Sequence, residues 1–235
     1  MTRESDDRTD GSTDTRADGE AFSSAQGDPR RFLSALLKMG IRQYVSGRQE
    51  EGNLHRLRAR TAACTGCELC RTRRSVVFGE GSEKARLVFV GEAPGEEEDL
   101  QGRPFVGRAG KLLDQMIERV GLTREEVFIC NVLKCRPPQN RDPQPHEVEA
   151  CKGYLLAQLD LIRPEIICTL GRHAYNTLLD VDERITRIRG RLTAYKGITL
   201  LPTYHPSFLL RNQEAIKDAY SDMEKLKGLL KREGV

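Results

Sequence analysis

At 235 residues, 38% hydrophobic and 31% charged, the chain can bury one core of ordinary size and carry tails besides. Its net charge of +3 hides an asymmetry: residues 1–30 hold four arginines against eight acids and carry −4, leaving +7 on residues 31–235, a balance compatible with a polyanionic partner. No apolar run approaches the roughly 20 residues that span a bilayer, and the first residues lack the apolar segment of a signal peptide, so the expectation is a cytoplasmic protein with no membrane partner, whose seven cysteines serve metal, catalysis or packing rather than disulfides.

Residues 1–28 are rich in Asp, Ser, Thr, Gly and Arg and are expected to form a disordered acidic tail, because they bury too little to order themselves. From Arg30 the pattern turns helical, with Phe32, Leu33, Leu36, Leu37, Ile41, Tyr44 and Val45 at helical spacings. This reads as a helix packed on the body or as a docking helix for a partner. A basic helical segment follows from Leu54 toward Ala63. Residues 29–60 are therefore read as an N-terminal helical extension and 61–232 as the main domain.

Four apolar runs read as buried strands: Leu87–Val90, Val127–Leu133, Glu165–Leu170 and Thr199–Thr203. Helical patterns fill the gaps at Arg108–Val120, Pro145–Ile162, Arg172–Leu179 and Gln213–Lys231. This alternation predicts an α/β fold, with a parallel sheet covered on both faces. Each strand ends in a chemically loaded turn: Gly91–Asp99, Asn131–Cys135, Gly171-Arg172-His173 and His205-Pro206. Ligand sites in open α/β sheets sit at such carboxyl ends. The first turn runs into Gly102–Gly107, where Phe105 stands alone between glycines, and the whole stretch is expected to be one long loop. Gly-x4-Gly there imitates a phosphate-binding loop, but Arg108-Ala109 replaces the required Lys-Ser or Lys-Thr, and four consecutive acids, Glu96 to Asp99, would repel a triphosphate.

Among the cysteines, Cys130 and Cys168 lie in strand patterns and read as small buried hydrophobes. Cys64-Thr65-Gly66-Cys67 precedes the sheet, which disfavours a thioredoxin-like dithiol. The wide separation of Cys135 and Cys151 disfavours structural zinc, which uses two close pairs. An iron–sulfur cluster tolerates scattered ligands, and Cys64, Cys67, Cys135 and Cys151 fit it best, with Cys70 as the rival third ligand. Of the other candidates, Asn131 can donate and accept at once, as a pyrimidine edge requires, or cap its own turn. His205 is a candidate acid or electrophile at a sheet edge. Leu209, Leu210 and Arg211 suit a wedge into a base stack with a phosphate contact, or the first turn of an ordinary helix. His55, His146 and His173 show no convergent partners and read as surface or packing residues.

Together these segments resemble the family 4 uracil-DNA glycosylases, over about Thr61 to Lys227. The motifs that carry the likeness are Cys64/Cys67, Gly91–Asp99, Gly102–Gly107, Asn131, Lys134-Cys135-Arg136-Pro137-Pro138-Gln139-Asn140-Arg141, Cys151 and His205–Asn212. The resemblance implies a three-layer α/β/α sandwich around a four-stranded parallel sheet. It implies a [4Fe–4S] cluster on Cys64, Cys67, Cys135 and Cys151, with Cys70 outside the ligand set. It implies an enzyme, expected to act as a monomer, that flips uracil out of single- or double-stranded DNA and hydrolyses its N-glycosidic bond, leaving an abasic site. Phe105 would stack on the base and Asn131 would read it. His205 and the backbone at Glu92 and Ala93 would stabilise charge on O2. Glu98 would exclude thymine's methyl group. Pro206, Ser207, Leu209, Leu210 and Arg211 would contact DNA. Ala93 stands where better-known uracil glycosylases carry a water-orienting Asp, as Gly or Ala does throughout this family. A non-hydrolytic uracil-DNA-binding relative would need an extra basic loop with a histidine, and no such insertion is present. An iron–sulfur regulatory protein would explain the cysteines but not Phe105, Asn131 and His205.

Overall fold

Alternate residues of each central strand enter opposite hydrophobic clusters, which is what period-two geometry demands of a sheet buried on both faces. Val88 and Val90 pack on one side with Phe128, Ile167 and Leu200; Leu87 and Phe89 pack on the other with Ile129, Cys168 and Leu201. The computed structural model describes residues 53–232, all within one compact unit, Gln49–Val235. The expectations for the acidic tail and for a helix over Phe32–Val45 lie outside the described residues.

The strands are β1 (Glu80–Gly81), β2 (Leu87–Gly91), β3 (Phe128–Asn131), β4 (Ile166–Leu170), β5 (Thr193–Tyr195) and β6 (Ile198–Thr203), in the spatial order β1-β3-β2-β4-β6-β5. The four central strands run parallel. The expected four-stranded sheet is thus corrected to six strands, because β1 and β5 add short antiparallel edges. Both are too short to show a period. A two-residue hairpin turn at Lys196-Gly197, both at positive φ, joins β5 to β6.

The helices are α1 (Leu54–Ala62), α2 (Glu96–Gln101), α3 (Arg108–Val120), α4 (Pro145–Ile162), α5 (Arg172–Leu179), α6 (Ile185–Ile188), α7 (Pro206–Leu209) and α8 (Ile216–Arg232). One face of the sheet is covered by α1, α4 and α5, the other by α3, α7 and α8, giving the expected three layers. Leu54 and Leu57 bring α1 into the first core. The stretch from Gly91 to Gly107 is not one loop, since α2 interrupts it. Glu98 explains this helix: its carboxylate accepts the N–H of Gly95, and four acids in the first turn oppose the positive end of the helix dipole.

Candidate active site

The carboxyl ends of β2, β3, β4 and β6 open onto a cleft of about 600 Å³. Gly91 and Asn131 are register neighbours at its floor. A Cβ on Gly91 would collide with Asn131 Oδ1 and lie 2.6 Å from Phe105 Cζ, so only glycine lets the two side chains close over this strand end. Phe105 itself adopts φ +51, an uncommon backbone state for a bulky side chain, and its carbonyl packs where a Cβ of Gly110 would stand. The Phe105 ring is buried against the cleft wall, 5.6 Å from the His205 ring and tilted by 35°. Asn131 is 1% exposed, and its Oδ1 has no hydrogen-bond partner among the described residues. A buried orphan acceptor is costly unless a ligand satisfies it.

His205 caps α7. Its Nδ1 accepts the Ser207 N–H at 3.1 Å and lies 2.8 Å from Ser207 Oγ. An accepting Nδ1 places the proton of a neutral ring on Nε2. Burial, then the charge of Arg211 and then His173, push the imidazole down to about 4. The ring is therefore a neutral donor near pH 7, suited to an oxygen that gains negative charge.

Glu98 lines the cleft, and its carboxylate also ties the site together: Oε2 accepts Gly95 N–H, and Oε1 accepts Val106 N–H at 2.9 Å and Gly107 N–H at 3.1 Å. Asp99, 2% exposed, accepts the backbone N–H groups of Arg74 and Ser75. Two of the four consecutive acids thus bind backbone, while Glu96 and Glu97 face solvent.

Glu92 and Ala93 form the wall beside Asn131, with the Glu92 carbonyl accepting Leu133 N–H at 2.9 Å. His173 also faces the cleft, which overturns its reading as a surface or packing residue. Its Nε2 lies 3.7 Å from Glu92 Oε2 and 3.5 Å from Asp142 Oδ2. Ligand atoms of Glu92, Asp142 and His173 lie within 4.8 Å of one another, an arrangement that could hold a cation. Burial raises the Glu92 carboxyl, opposed by the His173 charge. The signal for His173 was its place just after β4, at the start of α5; its partners come from the turn after β2 and from the loop before α4, which spacing does not connect. His55 and His146 are exposed, as expected.

The proposed DNA residues separate. Ser207 and Arg211 line the cleft, and Leu210 is exposed beside them. Leu209 is fully buried in the core with Leu113 and Met116, so it cannot serve as a wedge: the short helix α7 turns it inward toward α3. Pro206 is buried as the first residue of that helix.

Behind the cleft, Cys64, Cys67, Cys135 and Cys151 line one pocket, with Cys70, Arg73 and Lys134. N–H groups of Gly66, Arg73 and Lys134 approach the sulfurs of Cys64, Cys135 and Cys151 at 3.4, 3.3 and 3.3 Å. Four cysteines from three segments that line one pocket could together hold a metal ion or an iron–sulfur cluster. Burial pushes the Cys151 thiol up to about 12, against the opposing charge of Lys134.

Known proteins resemble this chain over most of its described part. The family model of the Uracil DNA glycosylase superfamily matches residues 78–225. A type-4 uracil-DNA glycosylase of Thermotoga maritima is 49% identical, over 74% of this chain and 93% of its own length. The corresponding protein of Sulfurisphaera tokodaii is 46% identical over 75% of this chain and 84% of its own, and that of Archaeoglobus fulgidus 45% over 70% and 86%. The aligned part spans the sheet, the cleft and its loops, and by that extent of likeness the chain belongs to the uracil-DNA glycosylase superfamily.

Proposed function

We propose that this chain is a type-4 uracil-DNA glycosylase, a monofunctional hydrolase of base excision repair that removes uracil from single- or double-stranded DNA and acts as a monomer in the cytoplasm. The observation that carries the reading is Asn131: a buried amide with an orphan oxygen, lining one cleft with Phe105 and a neutral histidine. Uracil offers N3–H to that oxygen and O4 to the amide nitrogen. Cytosine reverses the pattern and leaves both groups unpaired, which a desolvated site penalises.

The uracil is extruded from the stack at a cost of a few kcal/mol, least in single strands or at mismatches. Phe105 gives the flipped base a face, and Ser207 and Arg211 of the cleft, with exposed Leu210, would contact the flanking strand. As the N1–C1′ bond lengthens, electrons move onto the base and charge grows on O2. His205 Nε2–H donates to O2 with help from the backbone at Glu92 and Ala93; such preorganised donors are usually the largest catalytic contribution. Water then adds to C1′ and gives up a proton that ends on the departing uracil anion, leaving an abasic site and free uracil. Glu98 fixes the two loops that frame the base, and near C5 it would leave no room for a methyl group. Cys64, Cys67, Cys135 and Cys151 would hold a [4Fe–4S] cluster, whose role is to pin the segment after α1 to the loop after β3.

The test is cleavage of a uracil-containing oligonucleotide, with a thymine control, scored with and without alkali. Strand breaks after alkali only, and only with uracil, are expected; an intact uracil strand refutes the reading. Purified protein should be brown with broad visible absorption, and a colourless zinc-loaded preparation would remove the cluster.

A further inference from the structure

Lys134 is a lysine in an unusual place. It is 1% exposed, deep between the cysteine pocket and the carboxyl end of β3. Its Nζ donates to the Asn131 carbonyl at 2.7 Å and to Gln158 Oε1 at 2.6 Å. Gln158, fully buried in α4, donates in turn to the Phe78 carbonyl at 2.8 Å. The backbone N–H of Lys134 approaches Cys151 Sγ at 3.3 Å. One residue thus touches both the strand end that presents Asn131 and the pocket that holds the cysteines. Burying an amine is expensive, and an unbranched apolar side chain would fill the same space without that penalty. What the amine adds is two directed hydrogen bonds. One of them fixes the peptide of the residue whose side chain carries the orphan oxygen.

We propose that Lys134 is a positioning residue, whose buried Nζ clamps the Asn131 carbonyl and so holds the Asn131 amide at the angle the base requires, linking that amide to the cysteine site through the Lys134 N–H on Cys151. The inference rests on the proposed uracil reading for its effect on catalysis, but the clamp itself is a property of the fold. Arg73, which also lines the cysteine pocket, donates to Cys135 Sγ, whereas the bond to the Asn131 carbonyl is made by Lys134.

Lys134→Met and Lys134→Gln test it, the second keeping a neutral donor. Removing the donor leaves a buried carbonyl unsatisfied, which costs about tenfold or more, so Lys134→Met should lower kcat on uracil-DNA by at least about tenfold while KM and iron content stay near wild type. Lys134→Gln should recover part of that loss. Combined with Asn131→Ala, Lys134→Met should add nothing further, because both act through one amide. Hydrogen exchange read by mass spectrometry should quicken in the peptide covering 128–135 and not in β4 or β6. That measurement needs no activity, so a failure of the uracil reading leaves it intact. Wild-type kcat with unchanged exchange in Lys134→Met, or losses that multiply in the double variant, would overturn the clamp. Loss of iron from both single variants would assign Lys134 to the cysteine site alone and overturn it equally.

Discussion

Ser207 N–H points at Nδ1 of His205, so the imidazole donates from Nε2, and burial with Arg211 and His173 nearby holds it uncharged down to about pH 4. In the unfolded chain the same ring titrates near 6.5. Between those values the unfolded chain takes up a proton that the folded protein refuses, so this residue lowers stability as pH falls through that window and contributes nothing above it. Urea midpoints at pH 7.5 and pH 5 should therefore differ less in His205→Gln than in the wild type; equal differences would refute the neutral buried ring. Its donor role has a separate signature. His205→Ala should lose about two to three orders of magnitude in kcat, and Asn131→Ala about tenfold or more, with melting temperatures near wild type. Single-turnover uracil release measures both.

The turns after the strands hold these side chains in register. Gly91 ends β2 under Asn131 and Phe105, and Gly110 opens α3 under the Phe105 backbone. Gly91→Ala should cost about 1–3 kcal/mol of stability by overpacking, and uracil release should fall well beyond that, because the added methyl displaces the two groups that grip the base. Calorimetry beside a uracil-release assay separates the two effects. Helix α7 offers a second contrast. Leu209→Ala should destabilise by about 2–5 kcal/mol, as a core truncation does. Leu210→Ala should stay within about 0.5 kcal/mol, as surface changes usually do, while weakening DNA binding. Denaturant unfolding and fluorescence anisotropy with a uracil-containing strand compare them; a stable Leu209→Ala would contradict its burial.

Over the whole molecule, the cysteine pocket gathers the segment after α1, the loop after β3 and the first half of α4. These pieces span residues 64 to 151, so a group held there closes a long stretch of chain and stabilises the protein chiefly against unfolding. Cys151→Ser should lose iron and melt several degrees lower, with α1 and residues 64–71 loosening first and β4 and β6 keeping their protection. Iron analysis, thermal unfolding and hydrogen exchange check the three parts, and an unchanged melting temperature would leave the pocket without a structural role.

Much of this was legible beforehand. The bounds of α3, α4 and α5 follow from helical spacing with Gly or Pro at the ends, and the four central strands from continuous apolar runs, since a strand buried on both faces has no polar face to show. The type of chemistry came from the likeness of the combined motifs to the family 4 uracil-DNA glycosylases, since Asn131 or His205 alone left a structural role open. The edges β1 and β5 were not legible, being too short to have a period. Neither were the partners of His173, nor the reach of Lys134 to Asn131 and Gln158, nor the burial of Leu209. In each of these a side chain meets groups from another element, and which groups meet depends on how elements pack. Local spacing determines which stretches become helix or strand and where each strand ends. Only the assembled sheet decides that those ends converge, that Glu98 ties two loops by their backbone N–H groups, and that the buried Asn131 oxygen is left without a partner among the described residues.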